Sequence, residues 1–149
     1  MRIERAEIGD LETVAALFDA YRVFYGQPSD LERARGFIRE RLERSDSVIF
    51  LARDVAGVAL GFTQLYPCFS SVSTGRIWIL NDLYVAKEAR RQGTGTALLR
   101  RARDYSVETQ ALRIELATAH ANATAQALYA SEGYVLDTEF RRYSLPLAK

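Results

Sequence analysis

The sequence predicts a single-domain α/β fold with a mixed, mostly antiparallel twisted sheet and helices on both faces. Three observations support this prediction. The chain has 149 residues, a length at which one domain buries a core of its own. Hydrophobic patterning gives the element order β-α-α-β-β-β-α-β-α-β-β. The seventh element is a helix between two strands, and such a unit forms a right-handed parallel pair, whereas the hairpins are antiparallel. The predicted domain spans residues 1–149.

The first three elements lie in the N-terminal third. A short strand is predicted over Arg2–Ala6. Asp10 has the residue type of a helix N-cap, and apolar residues follow it at helical spacing as far as Tyr25. Gly26–Pro28 then ends that helix, and Asp30 begins a second one.

A run of strands occupies the middle of the chain. Strands are predicted over Ser47–Arg53, Val58–Tyr66 and Ile77–Val85, and the small, polar residues Pro67–Gly75 predict a loop. The polar pair Asn81-Asp82 lies inside the third of these strands, which is otherwise apolar and β-branched. Two polar residues in such a strand need a structural or functional reason.

The C-terminal half continues with alternating elements. Gly93 and Gly95 mark a turn that opens a helix. Gly133 stands where a left-handed helix C-cap is expected. The remaining predicted elements are a strand over Arg113–Thr118, a helix over Asn122–Glu132 and a closing pair of strands over Tyr134–Thr138 and Arg141–Leu147.

Composition excludes several classes of function. One Cys and one His cannot supply an internal disulfide or a zinc cluster of Cys and His ligands. A net charge of +1, despite 18 Arg among 20 basic residues, argues against bulk nucleic-acid binding. No stretch approaches a membrane span, and Met1–Arg5 does not resemble a signal peptide, so a cytoplasmic protein is expected.

The segment Arg90–Thr96 (RRQGTGT) is the most informative part of the sequence. It lies between a strand and a helix, where unpaired backbone N–H groups and the helix dipole attract anions. Glycines let a phosphate approach closely, and Arg90 and Arg91 add positive charge, so a diphosphate fits this turn. A P-loop would need a Lys after the glycines, and a dinucleotide fingerprint would need Gly or Ala where Leu98 stands. A loop that only caps the helix is the alternative.

Three motifs together resemble the GCN5-related N-acetyltransferase (GNAT) family. The family's acetyl-CoA signature, Arg/Gln-x-x-Gly-x-Gly/Ala, matches Arg90–Gly95. Its second landmark matches Asn122, Ala125, Leu128-Tyr129 and Gly133-Tyr134, and the segment Leu80–Val85 precedes the glycine turn. The resemblance covers the whole chain, since the predicted element order is the family's order.

The resemblance implies the GNAT fold, with a parallel central strand pair that splays apart to admit acetyl-CoA as cosubstrate, and it implies no metal. Pantetheine would pair with the backbone of the splayed strand, and the pyrophosphate would bind at the glycine turn. Asn122 would face the cofactor, although an ordinary N-cap role remains open. The implied cofactor-binding residues are Leu83, Tyr84, Val85, Arg90, Arg91, Gln92, Gly93, Thr94, Gly95, Thr96 and Asn122.

The resemblance also implies the catalytic groups. Tyr129 would donate a proton or hydrogen bond to the departing thiolate, and a core aromatic is the alternative reading. Leu80–Val85 looks most like the polyamine and thialysine branch of the family, but Asn81 stands where that branch tends to have Glu. Because an amide cannot act as a base, Asp82 is the nearest candidate, acting directly or through water. A structural hydrogen-bonding role for Asp82 stays open.

The acceptor expected from the resemblance is a small primary amine such as a diamine, an amino acid derivative or an amino sugar. The residues expected to contact it are Tyr25, Gln64, Tyr66 and Asn81, whereas Tyr21 and Phe24 are expected in the core. A protein N-terminus or lysine, or a non-catalytic acyl-CoA-binding module, are the alternatives. No nucleic acid or membrane partner is expected, and a homodimer is possible.

Overall fold

The computed structural model describes residues 1–148, which form a five-stranded sheet and four α-helices. The elements are β1 (Arg2–Arg5), α1 (Leu11–Phe24), α2 (Leu31–Arg44), β2 (Val48–Arg53), β3 (Ala59–Ser70), β4 (Gly75–Val85), α3 (Thr94–Glu108), β5 (Ile114–Glu115) and α4 (Ala123–Ser131). The strand order is β1-β2-β3-β4-β5; the first four strands are antiparallel to their neighbours and β5 is parallel to β4. This is the predicted fold class. The chain divides into two compact units, Met1–Ala117 and Thr118–Lys149.

The sheet of the first unit has helices on both faces. Successive residues of β2 point to opposite faces of a sheet. Leu51 belongs to the core cluster formed with α1 and α2, which includes Phe18 and Ile38. Phe50 points the other way, where its ring lies 5.5 Å from the ring of Tyr105 in α3. Full burial of a side chain of this size contributes about 1.5–3 kcal/mol to folding. The packing of α1 and α2 on one face and of α3 on the other therefore stabilises the sheet.

The two predicted N-caps have different outcomes. Asp30 accepts a hydrogen bond from the backbone N–H of Arg33 and caps α2 as predicted. Asp10 precedes α1 but makes no side-chain cap. Its carboxylate instead accepts from the backbone N–H of Glu7 at 2.9 Å and from Arg53 at 3.0 Å. An arginine from the neighbouring strand therefore provides a charged partner that local sequence could not reveal.

The β3–β4 hairpin is longer than predicted. Pro67–Ser70 pair with β4 as strand residues, so the loop predicted over Pro67–Gly75 is wrong for these residues. Only the turn between Ser70 and Gly75 lies outside the strands. Proline is tolerated in a strand only where its missing N–H has no ladder partner. The β2–β3 ladder extends only as far as the Val48–Leu65 pair, so beyond it β3 has β4 alone as a neighbour.

The parallel strand pair separates soon after it begins. β5 covers only Ile114–Glu115 of the predicted Arg113–Thr118 strand, and it pairs with Trp78 and Ile79 of β4. From Leu80 to Val85, β4 has no β5 neighbour. One side of β4 therefore has no strand partner over its last six residues, and this open edge of β4 is the splayed arrangement that the resemblance implied.

The second unit contains α4 and a C-terminal segment, residues 134–148, that is in neither a helix nor a strand. Gly133 follows α4 with a φ of 92°, the left-handed conformation expected of its cap position. The strands predicted over Tyr134–Thr138 and Arg141–Leu147 are wrong, because no residue from 134 to 148 is in a strand. Between the two predicted strands the Asp137 side chain accepts hydrogen bonds from the backbone N–H groups of Glu139 and Phe140. A strand requires a ladder partner, and the described chain gives this segment none. No helix within residues 1–148 is both long and apolar enough to cross a bilayer.

Candidate active site

The polar pair of β4 lies at a β-bulge. Gln64 pairs with Asp82 and Leu65 pairs with Leu80, so Asn81 is an extra residue between two consecutive pairs of the ladder. A bulge redirects side chains and breaks the regular alternation of a strand. Here Asn81 is exposed, whereas Asp82 is 1% exposed. The polar pair is explained by this local geometry, which holds one carboxylate inside the sheet and one amide at its surface.

Amide donors hold the Asp82 carboxylate from two sides. Asn81 Nδ2 donates to Asp82 Oδ1 at 2.8 Å, and Gln64 Nε2 donates to Asp82 Oδ2. The hydroxyl of the buried Ser47 donates to Gln64 Oε1 at 2.8 Å, so it fixes which end of the Gln64 amide faces Asp82. Because burial disfavours the charged form, the pKa of Asp82 is raised above its ordinary value, and the hydrogen bonds from Asn81, Gln64 and Tyr21 only partly oppose this effect.

Two tyrosines lie close to this carboxylate. The Tyr21 hydroxyl donates to the backbone carbonyl of Asn81 at 3.3 Å. Burial and the nearby charge of Asp82 raise the pKa of Tyr21, and the same causes raise the pKa of Tyr66 to about 12. Both hydroxyls therefore stay protonated at neutral pH, and that of Tyr21 acts as a hydrogen-bond donor at the bulge.

The glycine turn has the backbone geometry of an anion site. Arg91 and Gly93 have φ values of 64° and 83°, so two left-handed residues precede α3. Left-handed residues alternating with ordinary ones make a concave set of N–H groups that binds anions, and the positive end of the helix dipole adds to it. Thr94, at the first helical position, is 1% exposed, and its hydroxyl has no hydrogen-bond partner among the described residues. The site thus offers main-chain donors and one unsatisfied hydroxyl.

The two arginines before the glycines have different surroundings. Arg90 Nε donates to the backbone carbonyl of Val85 at 3.0 Å, and its guanidinium lies over the rings of Phe24 and Tyr84 at 5.6 and 5.7 Å. Arg90 therefore ties the turn to the end of β4. Arg91 is exposed, so within the motif it is the arginine whose charge is available to a ligand.

The remaining predicted cofactor positions fall in two places. Leu83, Tyr84 and Val85 are half-buried residues of the open part of β4. Gln92 and Gly93 are exposed in the turn, and the first turn of α3 contains Thr94, Gly95 and Thr96. The turn and the open strand edge belong to the same unit, Met1–Ala117.

The α4 residues belong to the second unit. Asn122 Oδ1 accepts from the backbone N–H of Ala125 at 3.2 Å, so the N-cap reading of Asn122 is confirmed. Tyr129 is half-buried, and its ring lies 5.9 Å from that of Tyr134. Burial, together with Tyr129 and Glu132 nearby, raises the pKa of Tyr134 to about 12.

The four residues predicted to contact the acceptor differ in their burial and in their contacts. Gln64 is fully buried with both ends of its amide engaged, so it contacts Asp82 rather than an acceptor. Tyr25 is 50% exposed, and its ring packs edge-on against Tyr21 at 5.1 Å. Tyr66 is half-buried and Asn81 is exposed. Phe24, expected in the core, is exposed.

Sequence reasoning missed two residues of the Asp82 network. Tyr21 was expected only in the core, and it does pack against the core cluster, but its hydroxyl reaches the bulge. Ser47 was predicted only as the start of a strand, and no local signal marks it as a partner of Gln64. Within residues 1–148 no group of three or more potential metal ligands is present.

Comparisons with known proteins show which proteins this chain resembles. Residues 12–134 match the model of the acetyltransferase (GNAT) family. An uncharacterized N-acetyltransferase of Bacillus subtilis is 48% identical over 97% of both chains, and a probable acetyltransferase of Haemophilus influenzae is 32% identical over 99% of both. The crystal structure of a probable acetyltransferase superposes with a TM-score of 0.95 at 47% identity, covering 100% of this chain and 99% of that one.

These relatives have no named substrate, so the polyamine and thialysine branch stays a prediction. The family itself follows from the extent of the match and from the identities. The chain belongs to the acetyltransferase (GNAT) family and is an N-acetyltransferase of that type.

Proposed function

We propose that residues 1–149 act as one acetyl-CoA-dependent domain that transfers an acetyl group directly to a primary amine of a small molecule, in the cytoplasm. The observation that carries the proposal is the combination of an anion-binding turn, an open strand edge and a buried carboxylate at the bulge of that same strand. The first two features suit a long phosphorylated thioester, and the third suits removal of a proton from an amine.

The donor would bind along β4 and the glycine turn. Its pyrophosphate would accept hydrogen bonds from the amides of Arg91–Thr96, with Arg91 adding charge and Arg90 holding the turn against Val85. Its pantetheine amides would pair with the free backbone side of Leu83–Val85, since β5 ends before these residues. Asn122 would contact the cofactor while capping α4.

The chemical step needs one proton acceptor and one donor. The amine nitrogen attacks the thioester carbonyl carbon, a C–N bond forms, the C–S bond breaks and its electron pair goes to sulfur. The proton lost by the nitrogen goes to Asp82. Since Asp82 is 1% exposed, we expect the proton to travel through a water molecule. Tyr129 donates its hydroxyl proton to the thiolate, and solvent restores both groups.

The exposed surface near the bulge suits a small cation. Asn81 offers a side-chain amide there, and the rings of Tyr25 and Tyr66 offer aromatic faces that attract an ammonium or its alkyl chain. Gln64 has no exposed surface and acts instead by positioning Asp82. These residues support a primary amine as the acceptor class, bound as its ammonium and giving one proton to water before it attacks, without specifying its remaining structure.

Thiol release from acetyl-CoA across a panel of amines tests this function. The panel should contain diamines, amino acid derivatives, amino sugars and lysine-containing or free N-terminal peptides, with mass spectrometry of the acetylated products. We expect turnover with at least one small amine. Turnover only with peptides would favour a protein acetyltransferase, and tight acetyl-CoA binding without any product would favour a non-catalytic binding module.

A further inference from the structure

The Asp82 carboxylate is buried too deeply to receive a proton without an intermediary. Asp82 is 1% exposed, and its two oxygens accept hydrogen bonds from the amides of Asn81 and Gln64. A buried acid exchanges protons only through a group that reaches both the acid and solvent. The two amides do not supply this path, because amides neither gain nor lose a proton near neutral pH. Another group at the bulge must therefore connect Asp82 to the acceptor.

The Tyr21 hydroxyl is a group at the bulge that can exchange a proton. It lies 3.3 Å from the backbone carbonyl oxygen of Asn81, and it also hydrogen-bonds the Asp82 carboxylate, which favours the charged form of that group. Of the side chains of residues 1–148 that hydrogen-bond this carboxylate, those of Asn81, Gln64 and Tyr21, only the last has an O–H group. Tyr21 is itself half-buried, so part of its side chain remains accessible to solvent.

Four aromatic rings fix the position of Tyr21. Its ring stacks on that of Phe18 at 6.0 Å and meets the rings of Tyr25, Phe62 and Tyr84 edge-on at 5.1, 5.9 and 6.4 Å. These neighbours belong to α1, β3 and β4 or directly follow α1, so they hold the ring from several sides. A side chain locked by packing keeps its polar atom in one place, which proton transfer over a hydrogen-bond distance requires.

The hydroxyl resists ionisation but can still pass a proton on. Burial and the charge of Asp82 raise the pKa of Tyr21, so a phenolate does not accumulate near neutral pH. A relay forms no phenolate, because the oxygen gains one proton as it loses another. Rotation of the hydroxyl from the Asn81 carbonyl to the Asp82 carboxylate gives a charge-assisted hydrogen bond, the stronger of the two. The geometry therefore prepares Tyr21 to donate to the ionised carboxylate.

We propose that Tyr21 relays the proton of the acceptor amine to Asp82. The inference rests on the proposed acetyl transfer, in which Asp82 is the final proton acceptor. As the amine nitrogen bonds to the thioester carbonyl carbon, its proton goes to a water molecule, that water gives a proton to the Tyr21 oxygen, and the Tyr21 O–H proton goes to the Asp82 carboxylate. Water and Tyr21 end with the protons that they began with. Asp82 ends neutral and returns its proton to solvent by the reverse path.

A double-mutant cycle of Tyr21→Phe and Asp82→Asn tests the relay through kcat from thiol release and acetyl-CoA affinity from calorimetry. Tyr21→Phe keeps the packed ring, so it should lower kcat by about 10- to 100-fold and leave the affinity unchanged. The double variant should be no more than about 2-fold slower than Asp82→Asn, because both changes interrupt one path. Tyr105→Phe is the matched control. It removes the hydroxyl of a half-buried tyrosine that packs on Phe50 from α3, and it should keep the wild-type kcat.

The cycle separates failure of the relay from failure of the proposed function. Wild-type kcat in Tyr21→Phe would overturn the relay and leave Asp82 as the proton acceptor. Losses that multiply in the double variant would also overturn it, since Tyr21 would then act independently of Asp82, as would a loss of acetyl-CoA affinity that matches the loss of kcat. Wild-type kcat in Asp82→Asn would refute the proposed proton acceptor itself, and the relay with it.

A solvent isotope measurement on the wild type tests the relay even if a variant fails to fold. The rate of a single turnover is measured in mixtures of H2O and D2O. It should fall along a curve as the deuterium fraction rises, because more than one proton moves in the same step. A straight line, which the transfer of one proton gives, would overturn the relay.

Discussion

The glycine turn and the Asp82 network are two parts of one candidate site built in different ways. The turn is local: the left-handed residues Arg91 and Gly93 and the start of α3 follow each other in the chain, and its donors are mostly main-chain. The Asp82 network is non-local, because Ser47 directly precedes β2 and Gln64 lies in β3, whereas Asp82 lies in β4. Backbone geometry in the turn suits binding of a phosphate group. The buried side chains of the network instead suit control of the protonation of one carboxyl group, that of Asp82.

The largest expected effect is a loss of acetyl-CoA affinity after a substitution in the glycine turn. Gly95→Glu places a carboxylate where the pyrophosphate would lie, and two charges about 4 Å apart repel by about 4 kcal/mol at an effective dielectric constant of 20. Acetyl-CoA affinity should fall by more than about 100-fold. The fold should persist, since an acidic residue in the first turn stabilises a helix. Isothermal titration calorimetry measures the affinity and circular dichroism the fold.

Val107→Glu provides the control for this substitution. It introduces the same side chain on the same helix, at an exposed position near the other end of α3. Its acetyl-CoA affinity should equal that of the wild type. If Gly95→Glu binds acetyl-CoA as tightly as Val107→Glu does, the pyrophosphate is not held at this turn.

The next effect concerns the network. Asp82→Asn removes the proton acceptor, so kcat/KM should fall by about 100-fold or more. In the wild type, kcat/KM should decrease as pH falls through the raised pKa of Asp82, because the protonated acid cannot accept a proton. This acid limb should be absent from the rate–pH profile of Asp82→Asn. A variant that keeps the wild-type rate and profile would leave Asp82 with a structural role only.

A smaller effect is expected at Tyr129, in the second unit. Tyr129→Phe removes only the hydroxyl, so kcat should fall by about 10- to 100-fold, and acetyl-CoA affinity should persist. Tyr134→Phe is the matched control, since it removes the hydroxyl of the neighbouring ring. Stopped-flow or steady-state thiol release compares the two variants. Equal rates in Tyr129→Phe and the wild type would contradict the donor role.

The smallest effect tests positioning within the network. Ser47→Ala leaves the buried Gln64 Oε1 without its donor, so kcat/KM should fall by roughly 5-fold, which corresponds to one lost hydrogen bond. The acid limb of the rate–pH profile should shift, because Gln64 no longer holds Asp82 in a fixed orientation. Ser106→Ala removes another buried hydroxyl, whose bond goes to the Ala102 carbonyl within α3. The positioning role is refuted if both variants shift the profile equally or neither does.

The features that the sequence predicted correctly are the local ones, and those that it missed are non-local. The glycine turn, the N-cap at Asn122 and the left-handed Gly133 depend on neighbouring residues, so the sequence predicted them. The bulge at Asn81 depends on the β3–β4 register, which no local pattern reveals. The same limit explains the extended β3 strand and the C-terminal segment, because each depends on whether a ladder partner is available.

Acetyl-CoA binding and turnover should be separable, because the glycine turn serves the first and the Asp82 network the second. The most direct test is the dissociation constant of acetyl-CoA for Asp82→Asn, measured alongside its turnover and compared with Gly95→Glu. We expect Asp82→Asn to bind acetyl-CoA within a few-fold of the wild type and to lose turnover, and Gly95→Glu to lose binding. Loss of acetyl-CoA binding in Asp82→Asn as large as that in Gly95→Glu would contradict the division of roles.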